Sequence, residues 1–306
     1  MDRANELVGV DWGGSNLRAF RFGPGGEVLE RRESGGGLAV PGGRSFEAML
    51  ASVISDWKTS ASAPLRILLC GMVGGRGGWL EVPYVPCPAD AEAVAGAMRR
   101  LDTSLGAAWI VPGLSTFTRQ GFADVLRGEE TQIFGALEPG ADAVVIAPGT
   151  HSKWCRVNRG RITGFRTYMT GELFAVLTSH SILSRTMRGQ AHDDDAFTLG
   201  VRRALADPDL LGLLFSVRSE TLFDRIAAEA SSAYLSGLLI GAEIRAGLAQ
   251  SEDIRSASIL VIAAERLAGL YQDALTLAGV APTRIIDGAE AAARGLWRLA
   301  HIGVHA

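Results

Sequence analysis

Lysine is scarce in this chain: of 30 basic residues, only Lys58 and Lys153 are lysines. A Walker A phosphate loop ends in Gly-Lys-Ser or Gly-Lys-Thr, and neither lysine follows a glycine, so that type of nucleotide site is excluded. The arginines are spread along the chain and the net charge is −3. The basic block that is typical of nucleic-acid binders is therefore missing, and small-molecule partners are favoured.

Cysteine is also scarce, and long apolar runs are missing. Cys70, Cys87 and Cys155 are widely spaced and form neither a Cys-x-x-Cys motif nor a cysteine-histidine group. This pattern predicts a reducing compartment and no structural zinc. The first residues are polar, and no apolar stretch reaches the roughly 18 residues that a membrane-spanning helix needs. We therefore expect a cytoplasmic protein without a membrane partner.

Apolar residues, in contrast, are sufficient for large cores, since 47% of the 306 residues are hydrophobic and 21% are charged. A single core stops growing near roughly 250 to 300 residues, so the length favours two lobes. The opening segment predicts a three-strand β-meander, and strands alternate with helices from residue 45 onward, which is typical of an α/β fold. We predict a first lobe over residues 1–138, a second over 139–288, and a helix over 289–306 that returns to the first lobe.

Helical periodicity is clear in several segments. Apolar residues recur at helical spacing over residues 46–57, with Ser45 placed as the N-cap. Further helices are predicted over residues 89–101 and 224–250.

Two glycine-containing turns carry the first signs of chemistry. One follows Asp11 near the start of the chain, and the other follows the apolar run 143–147. Glycine lets backbone N–H groups approach an anion, and small polar side chains add donors. A carboxylate at a strand end, such as Asp11, can hold magnesium through water. The two turns predict contacts to nucleotide phosphates from Gly13, Gly14, Ser15, Asn16, Arg18, Gly149, Thr150 and His151.

Seven segments, from about residue 8 to about residue 245, give a more specific signal than either turn. In chain order they are VDWGGSNLRAF, GMVGGRGGW, PYVPCPA, RGEETQIFGAL, APGTHSKW, FRTYMTGEL and YLSGLLIGAEI. The two turns resemble the phosphate-1 and phosphate-2 loops of the superfamily that joins acetate and sugar kinases, heat-shock ATPases and actin. Within it, the seven segments resemble motifs of the 2-dehydro-3-deoxygalactonokinase family.

The resemblance implies a two-lobed α/β fold of the actin-like, ribonuclease H-like type, with duplicated β-meander lobes. It implies a kinase that uses ATP and Mg²⁺, bound between the lobes, to phosphorylate 2-dehydro-3-deoxy-D-galactonate at the 6-hydroxyl in galactonate catabolism. The sugar acid is expected nearer the first lobe.

Two segments depart from the superfamily pattern. Ala147-Pro148 stands where the phosphate-2 loop of many relatives begins with aspartate, so metal binding must depend on Asp11. Ala263-Ala264-Glu265-Arg266 stands where relatives have the Gly-Thr/Ser turn of the adenosine loop, which leaves the nucleotide preference open.

Glu130 is the predicted general base, the group that takes the proton of the attacking hydroxyl. If residues 124–137 form a helix, Glu130 lies on its apolar face, and a carboxylate there has a raised pKa, as a base needs. The apolar residues of that face are Leu126, Ile133, Phe134 and Leu137. The Gly-x-Glu-Glu motif also resembles that of exopolyphosphatases, where the second glutamate is the base. Glu129 and Asp11 are the alternatives.

A keto acid carries a carboxylate, which a planar guanidinium binds through two N–H groups. Arg127 and Arg166 are the candidates, since both lie in segments shared with the family. The turn Gly71-Met72-Val73 follows a buried strand, and open α/β sheets bind ligands at such strand ends. The resemblance adds Thr170 and Glu172 as substrate contacts.

Three other functions fit the same motifs. They are another sugar or sugar-acid kinase, a phosphoanhydride hydrolase of the exopolyphosphatase kind, and a sugar-sensing protein that kept the fold. The oligomeric state is left open, with a homo-oligomer as one alternative.

Overall fold

The computed structural model divides into two compact units, each assembled from separate stretches of the chain. Unit 1 comprises residues 1–142, 155–165 and 286–306, and unit 2 comprises residues 143–154 and 166–285. The stretch 155–165 thus groups with unit 1, although it lies inside the predicted second lobe. The structure describes residues 6–35, 37, 45–60, 64–118, 120–189, 192–250, 254, 257–280 and 284–304.

Strands and helices are numbered here in chain order. The strands are β1 (Leu7–Trp12), β2 (Leu17–Phe22), β3 (Val28–Ser34), β4 (Leu65–Gly71), β5 (Val85–Pro86), β6 (Arg99–Thr103), β7 (Gly106–Ile110), β8 (Leu114–Phe117), β9 (Ala123–Leu126), β10 (Ala143–Ala147), β11 (Ser152–Asn158), β12 (Arg161–Tyr168), β13 (Ile259–Ile262) and β14 (Arg284–Ile286). The α-helices are α1 (Phe46–Ser60), α2 (Ala91–Gly96), α3 (Glu129–Ala136), α4 (Thr170–His180), α5 (Asp194–Ala206), α6 (Leu210–Leu222), α7 (Ser231–Leu248), α8 (Glu265–Leu277) and α9 (Gly288–Gly303). Of the helices in the described ranges, none is both long and apolar enough to cross a membrane.

A six-stranded mixed sheet, in the order β3-β2-β1-β4-β7-β6, forms the centre of unit 1. β4 is almost entirely apolar and buried, as expected for a central strand between parallel neighbours. β1 pairs antiparallel with β2, which sets Asp11 opposite Arg18, and parallel with β4, which sets Asp11 beside Cys70. The register thus brings a carboxylate, a guanidinium and a thiol together at the end of β1.

The second sheet repeats this arrangement. Its order is β12-β11-β10-β13-β14, the same relative order as β3-β2-β1-β4-β7 in the first sheet. Its central pair, β10 and β13, is parallel, as β1 and β4 are. The duplicated α/β fold predicted from the sequence is confirmed.

Helix α3, which carries the predicted base, is fixed on α9 by close backbone contact. A Cβ at Gly135 would lie 2.0 Å from the Ala291 oxygen, and one at Gly295 would lie 1.9 Å from the Thr131 oxygen. Only glycine permits such an approach. Arg298 Nη1 also donates to backbone carbonyls at the end of α3, at 3.0 and 3.2 Å. The position of α3 therefore depends on α9.

Helix α7 is the centre of unit 2. It is buried on nearly every face, and Tyr234 and Leu238 pack with Trp154 and Tyr271 in one apolar cluster. A helix that is apolar all round belongs in a core, which explains why this segment shows little amphipathic pattern.

The helix predicted over residues 46–57 is confirmed as α1, and Ser45 is its N-cap, since the Ala48 N–H donates to Ser45 Oγ at 3.2 Å. The helix predicted over 89–101 is only partly right. α2 ends at Gly96, and the following segment forms β6, which pairs antiparallel with β7.

Two other helices begin later than predicted. Residues 123–126 form β9, so Leu126 does not share a helical face with Glu130; Gly128, at φ 106°, separates that strand from α3. In the segment predicted over 224–250, α7 begins only at Ser231. Asp224 itself adopts φ 55°, which a right-handed helix does not allow.

Candidate active site

Asp11 lies at the end of β1 with 12% of its side chain exposed. Its Oδ2 accepts a hydrogen bond from Arg18 Nη1 at 3.5 Å, and Cys70 Sγ lies 3.9 Å from its Oδ1. Burial raises the pKa of Asp11, and the charge of Arg18 partly opposes that increase. Asp11 is thus a partly exposed carboxylate with a long ion pair to Arg18.

The first predicted phosphate turn directly follows Asp11. It is closed by the Gly13 N–H, which donates to the Asn16 oxygen at 2.9 Å, while Gly14, Ser15 and Asn16 are exposed. The structure therefore brings Asp11, Arg18 and the donors of this turn together at one end of the sheet of unit 1.

Glu130 is fully buried in the first turn of α3. Its Oε2 accepts the Gly128 N–H at 2.7 Å, and its Oε1 accepts the Thr131 hydroxyl at 2.9 Å. Burial, followed by the negative charge of Glu129, raises the pKa of Glu130 to about 7. The carboxyl group can therefore exchange a proton near neutral pH, which is the property required of a general base.

Cys70 lies close to both carboxylates and was not assigned to the site from the sequence. Burial, then Asp11, then Glu130 raise the pKa of its thiol well above the ordinary range. Cys70 lies beside Asp11, and the next residue, Gly71, packs against Gly128 at the start of α3, so Asp11 and Glu130 lie in the same region of unit 1. No local motif identifies Cys70, since its position beside Asp11 follows from the register of parallel strands.

The turn after β4 is close to the N-terminus of α3. Gly71 has φ 89°, and a Cβ there would lie 2.6 Å from the Trp12 oxygen; one at Gly128 would lie 3.3 Å from the Gly71 Cα. Met72 is 40% exposed, so its side chain is accessible to a ligand. Val73, the other side chain predicted in this turn, is wholly buried in the apolar core of unit 1.

Arg127 is a buried cation beside this region. Its Nη2 donates to the Val82 oxygen at 2.7 Å, and its guanidinium lies 4.5 Å from the ring centroid of Tyr84. Within the described part of the chain, its Nε and Nη1 have no hydrogen-bond partner. Buried donors without acceptors are rare, so this side chain is suited to an anionic group.

The second predicted phosphate turn lies in unit 2, and Gly149, Thr150 and His151 are exposed there. Glu172 is bound to this turn: its N–H donates to the Thr150 oxygen at 2.9 Å, and its carboxylate lies 2.5 Å from His151 Nε2. Thr170 begins the same helix. The resemblance implies Thr170 and Glu172 as substrate contacts, and the structure places both beside the phosphate turn of unit 2.

Arg166, the other candidate for the substrate carboxylate, is half-buried on β12 and also belongs to unit 2. Arg127 belongs to unit 1.

Two adjoining cavities open beside the turn of unit 2. The first, of about 310 Å³, is lined by Gly149, Thr150, Thr170 and Tyr271 among others. The second, of about 370 Å³, is lined by His192, Ser232, Ala264 and Arg266, among others. They share Phe174, Ser236 and Leu267. Each has the size and mostly apolar lining of a small-molecule site, and the segment in place of an adenosine loop borders the second.

Relatives with assigned functions match nearly all of the chain. A 2-dehydro-3-deoxygalactonokinase from Escherichia coli strain K12 is 35% identical over 96% of this chain and 97% of its own length. A protein from Rhizobium meliloti with the same assignment is 38% identical over 98% of this chain and 100% of its own.

Solved structures agree. A crystal structure of a protein from Sinorhizobium meliloti, assigned as a 2-dehydro-3-deoxygalactonokinase, is 38% identical and superposes with a TM-score of 0.88, covering 96% of this chain and 98% of that one. Component A of (R)-2-hydroxyglutaryl-CoA dehydratase from Acidaminococcus fermentans, at 13% identity and a TM-score of 0.52, shares the fold alone. The model of the 2-keto-3-deoxy-galactonokinase family matches residues 11–299, and this chain belongs to that family.

Proposed function

We propose that this chain is a 2-dehydro-3-deoxygalactonokinase, which transfers the γ-phosphoryl group of ATP to the 6-hydroxyl of 2-dehydro-3-deoxy-D-galactonate. The observation that carries the proposal is the family match over residues 11–299, which includes every residue assigned a role below. Its three cysteines are free thiols, which a reducing compartment favours, so we place the enzyme in the cytoplasm.

The nucleotide is assigned to two sets of groups. In unit 2 the exposed turn with Gly149, Thr150 and His151 contacts phosphates, and the two adjoining cavities take the nucleoside. In unit 1 the exposed Gly14-Ser15-Asn16 turn and Arg18 supply further donors for phosphate oxygens.

Asp11 is assigned to the Mg²⁺ that accompanies ATP. Magnesium in kinase sites is typically held by one or two carboxylates together with substrate phosphates and water. Asp11 fits this donor set, because it is partly exposed and adjoins the first turn, and because its ion pair with Arg18 is long, at 3.5 Å. When bound, the metal neutralises charge on the phosphates.

Glu130 is assigned as the base. As the sugar O6 attacks the γ-phosphorus and the bond to the ADP oxygen breaks, the proton of the 6-hydroxyl passes to the Glu130 carboxylate. Contact requires one carboxylate oxygen to leave its bond with Gly128 or Thr131, since the side chain is covered in this structure. Asp11 is the second candidate for the base, because its side chain is already 12% exposed.

Arg127 is assigned to the carboxylate of the sugar acid. Its Nε and Nη1, which have no hydrogen-bond partner among the described residues, lie in unit 1, the unit that holds Glu130, and an α-keto acid offers them an anion. The exposed Met72 provides apolar contact beside it.

ADP formation by the purified protein tests the function. We expect ADP to form with ATP, Mg²⁺ and 2-dehydro-3-deoxygalactonate, and no ADP to form without a sugar acid. The kcat/KM for this substrate should be higher than that for its epimer, 2-dehydro-3-deoxygluconate. The matched control is Glu130→Gln, which keeps the fold and loses the base.

Three results contradict the proposal. Phosphate release without sugar indicates a hydrolase, faster turnover of another sugar indicates a different kinase, and tight sugar binding without ADP formation indicates a sensor.

A further inference from the structure

Glu243 is a buried carboxylate that the proposed reaction does not use. It lies on α7, in the core of unit 2, and is only 3% exposed. Burying an isolated charge in a protein core costs free energy, and replacing a buried charged residue by an apolar residue of similar volume often leaves the fold equally or more stable. Stability alone therefore does not account for a glutamate at this position.

Both oxygens of Glu243 are saturated with donors. Oε1 accepts the Ser152 hydroxyl at 2.6 Å and the Trp154 indole N–H at 2.8 Å. Oε2 accepts the Tyr271 hydroxyl at 2.7 Å and the Thr170 hydroxyl. An ionised carboxylate is a pure acceptor with about four lone-pair positions, so four donors complete it.

These donors come from the three elements around the phosphate turn of unit 2. Ser152 begins β11 directly after the turn, and Thr170 begins α4, while Tyr271 lies on α8. The turn and α4 touch through their backbones, because a Cβ at Gly171 would lie 2.3 Å from the Gly149 oxygen. A small displacement of either element therefore changes the shape of the turn.

Two of the four donors also line a cavity. Thr170 and Tyr271 border the cavity of about 310 Å³ together with Gly149 and Thr150. Their hydroxyls are directed to Glu243, which fixes both side chains in the cavity wall.

We propose that Glu243 is a positioning residue for the nucleotide: by binding the start of β11, the start of α4 and α8 at once, it holds the phosphate turn and the cavity wall in the arrangement that receives ATP. The inference rests on the proposed function, because it assigns this cavity to the nucleotide. Glu243 is assigned no chemical step: it acts on the site only through the side chains and elements that it holds.

Glu243→Gln tests the inference with the least change in shape. The amide oxygen can still accept from Ser152 and Trp154, and the hydroxyls of Thr170 and Tyr271 can rotate to accept from the amide nitrogen, so the variant should fold. We expect Kd and KM for ATP to rise about tenfold to a hundredfold, the effect of a small misplacement in a site, with KM for the sugar acid nearly unchanged. Tyr271→Phe removes one of the four donors and should raise KM for ATP less.

Tyr234→Phe is the matched control. Tyr234 is buried on the same helix, nine residues before Glu243 and thus on the opposite face, and its hydroxyl bonds Arg203 at 2.6 Å and Ser216 at 2.7 Å. Its loss should lower Tm without changing the affinity for ATP. ATP binding by calorimetry, without sugar, is the deciding measurement.

Each outcome of that measurement is decisive. Weaker ATP binding in both network variants, with normal binding in Tyr234→Phe, supports the inference. Normal binding in Glu243→Gln and Tyr271→Phe overturns it while leaving the kinase function intact. If the wild-type protein itself does not bind ATP, the proposed function fails and the inference fails with it.

Discussion

Glu130→Gln should slow the enzyme and stabilise the fold at the same time. Since the pKa of Glu130 is about 7 in the native state against 4.5 for the free side chain, the native protein holds this proton more tightly. The free energy of unfolding therefore falls as pH rises from about 4.5 through about 7. Above pH 7 the ionisation of Glu130 lowers it by about 3 kcal/mol, since each unit of difference between the two pKa values corresponds to about 1.4 kcal/mol. Glutamine avoids that cost.

The catalytic effect has the opposite sign. A base must be ionised, so wild-type kcat should rise about tenfold between pH 6 and pH 8, with a midpoint near pH 7. Glu130→Gln should lower the rate by roughly 10² to 10⁴ and remove that midpoint. Single-turnover rates measured at pH 5 and pH 8 give the effect on catalysis, and denaturant unfolding at the same two pH values gives the effect on stability.

Glu129→Gln is the control for both effects. Its charge is the second cause of the raised pKa of Glu130, so its removal should move the midpoint of the rate profile to lower pH with a small change in maximal rate. If Glu130→Gln keeps the wild-type rate within about threefold and the same midpoint, Glu130 is not the base. A larger rate loss in Glu129→Gln assigns the role to Glu129 instead.

Three further outcomes are expected. Asp11→Asn should reduce Mg²⁺-dependent turnover about 10²-fold or more, the usual effect of losing a charge-stabilising group, and near-normal steady-state rates contradict the assignment. Arg127→Met should raise KM for the sugar acid about tenfold or more with little effect on KM for ATP, because it removes charged donors; an unchanged KM rules Arg127 out as the carboxylate partner. Gly71→Ala should lower the free energy of unfolding by about 1 to 3 kcal/mol, since its φ of 89° strains alanine and the Cβ meets the Trp12 oxygen. Unchanged denaturation midpoints indicate that this turn relaxes.

Local signals predicted the opening strands, the two turns and the N-cap of α1. Ser45 precedes the run of apolar residues at helical spacing, and its hydroxyl does accept the Ala48 N–H, at 3.2 Å. These features depend on residues close in sequence. The raised pKa of Glu130 was also predicted, although one of the residues used in the argument, Leu126, lies on a strand.

Features that depend on distant contacts were not predicted. Cys70 lies beside Asp11 only because two parallel strands share a register, and Glu243 meets donors from three other elements. Neither arrangement leaves a periodic pattern in the sequence. The same limit applies to Thr170 and Glu172, whose neighbours depend on how α4 meets the turn of unit 2.

The packing of α9 on α3 has a consequence for biosynthesis. α9 leaves the ribosome after all of unit 2, yet it is the partner that fixes the helix carrying Glu130. Until then, the nascent unit 1 exposes the apolar surface that α9 later covers, and α3 lacks the contacts that fix its position. Unit 1 therefore completes its folding only after translation of unit 2, and a ribosome stalled before residue 288 carries a nascent kinase that cannot yet be active.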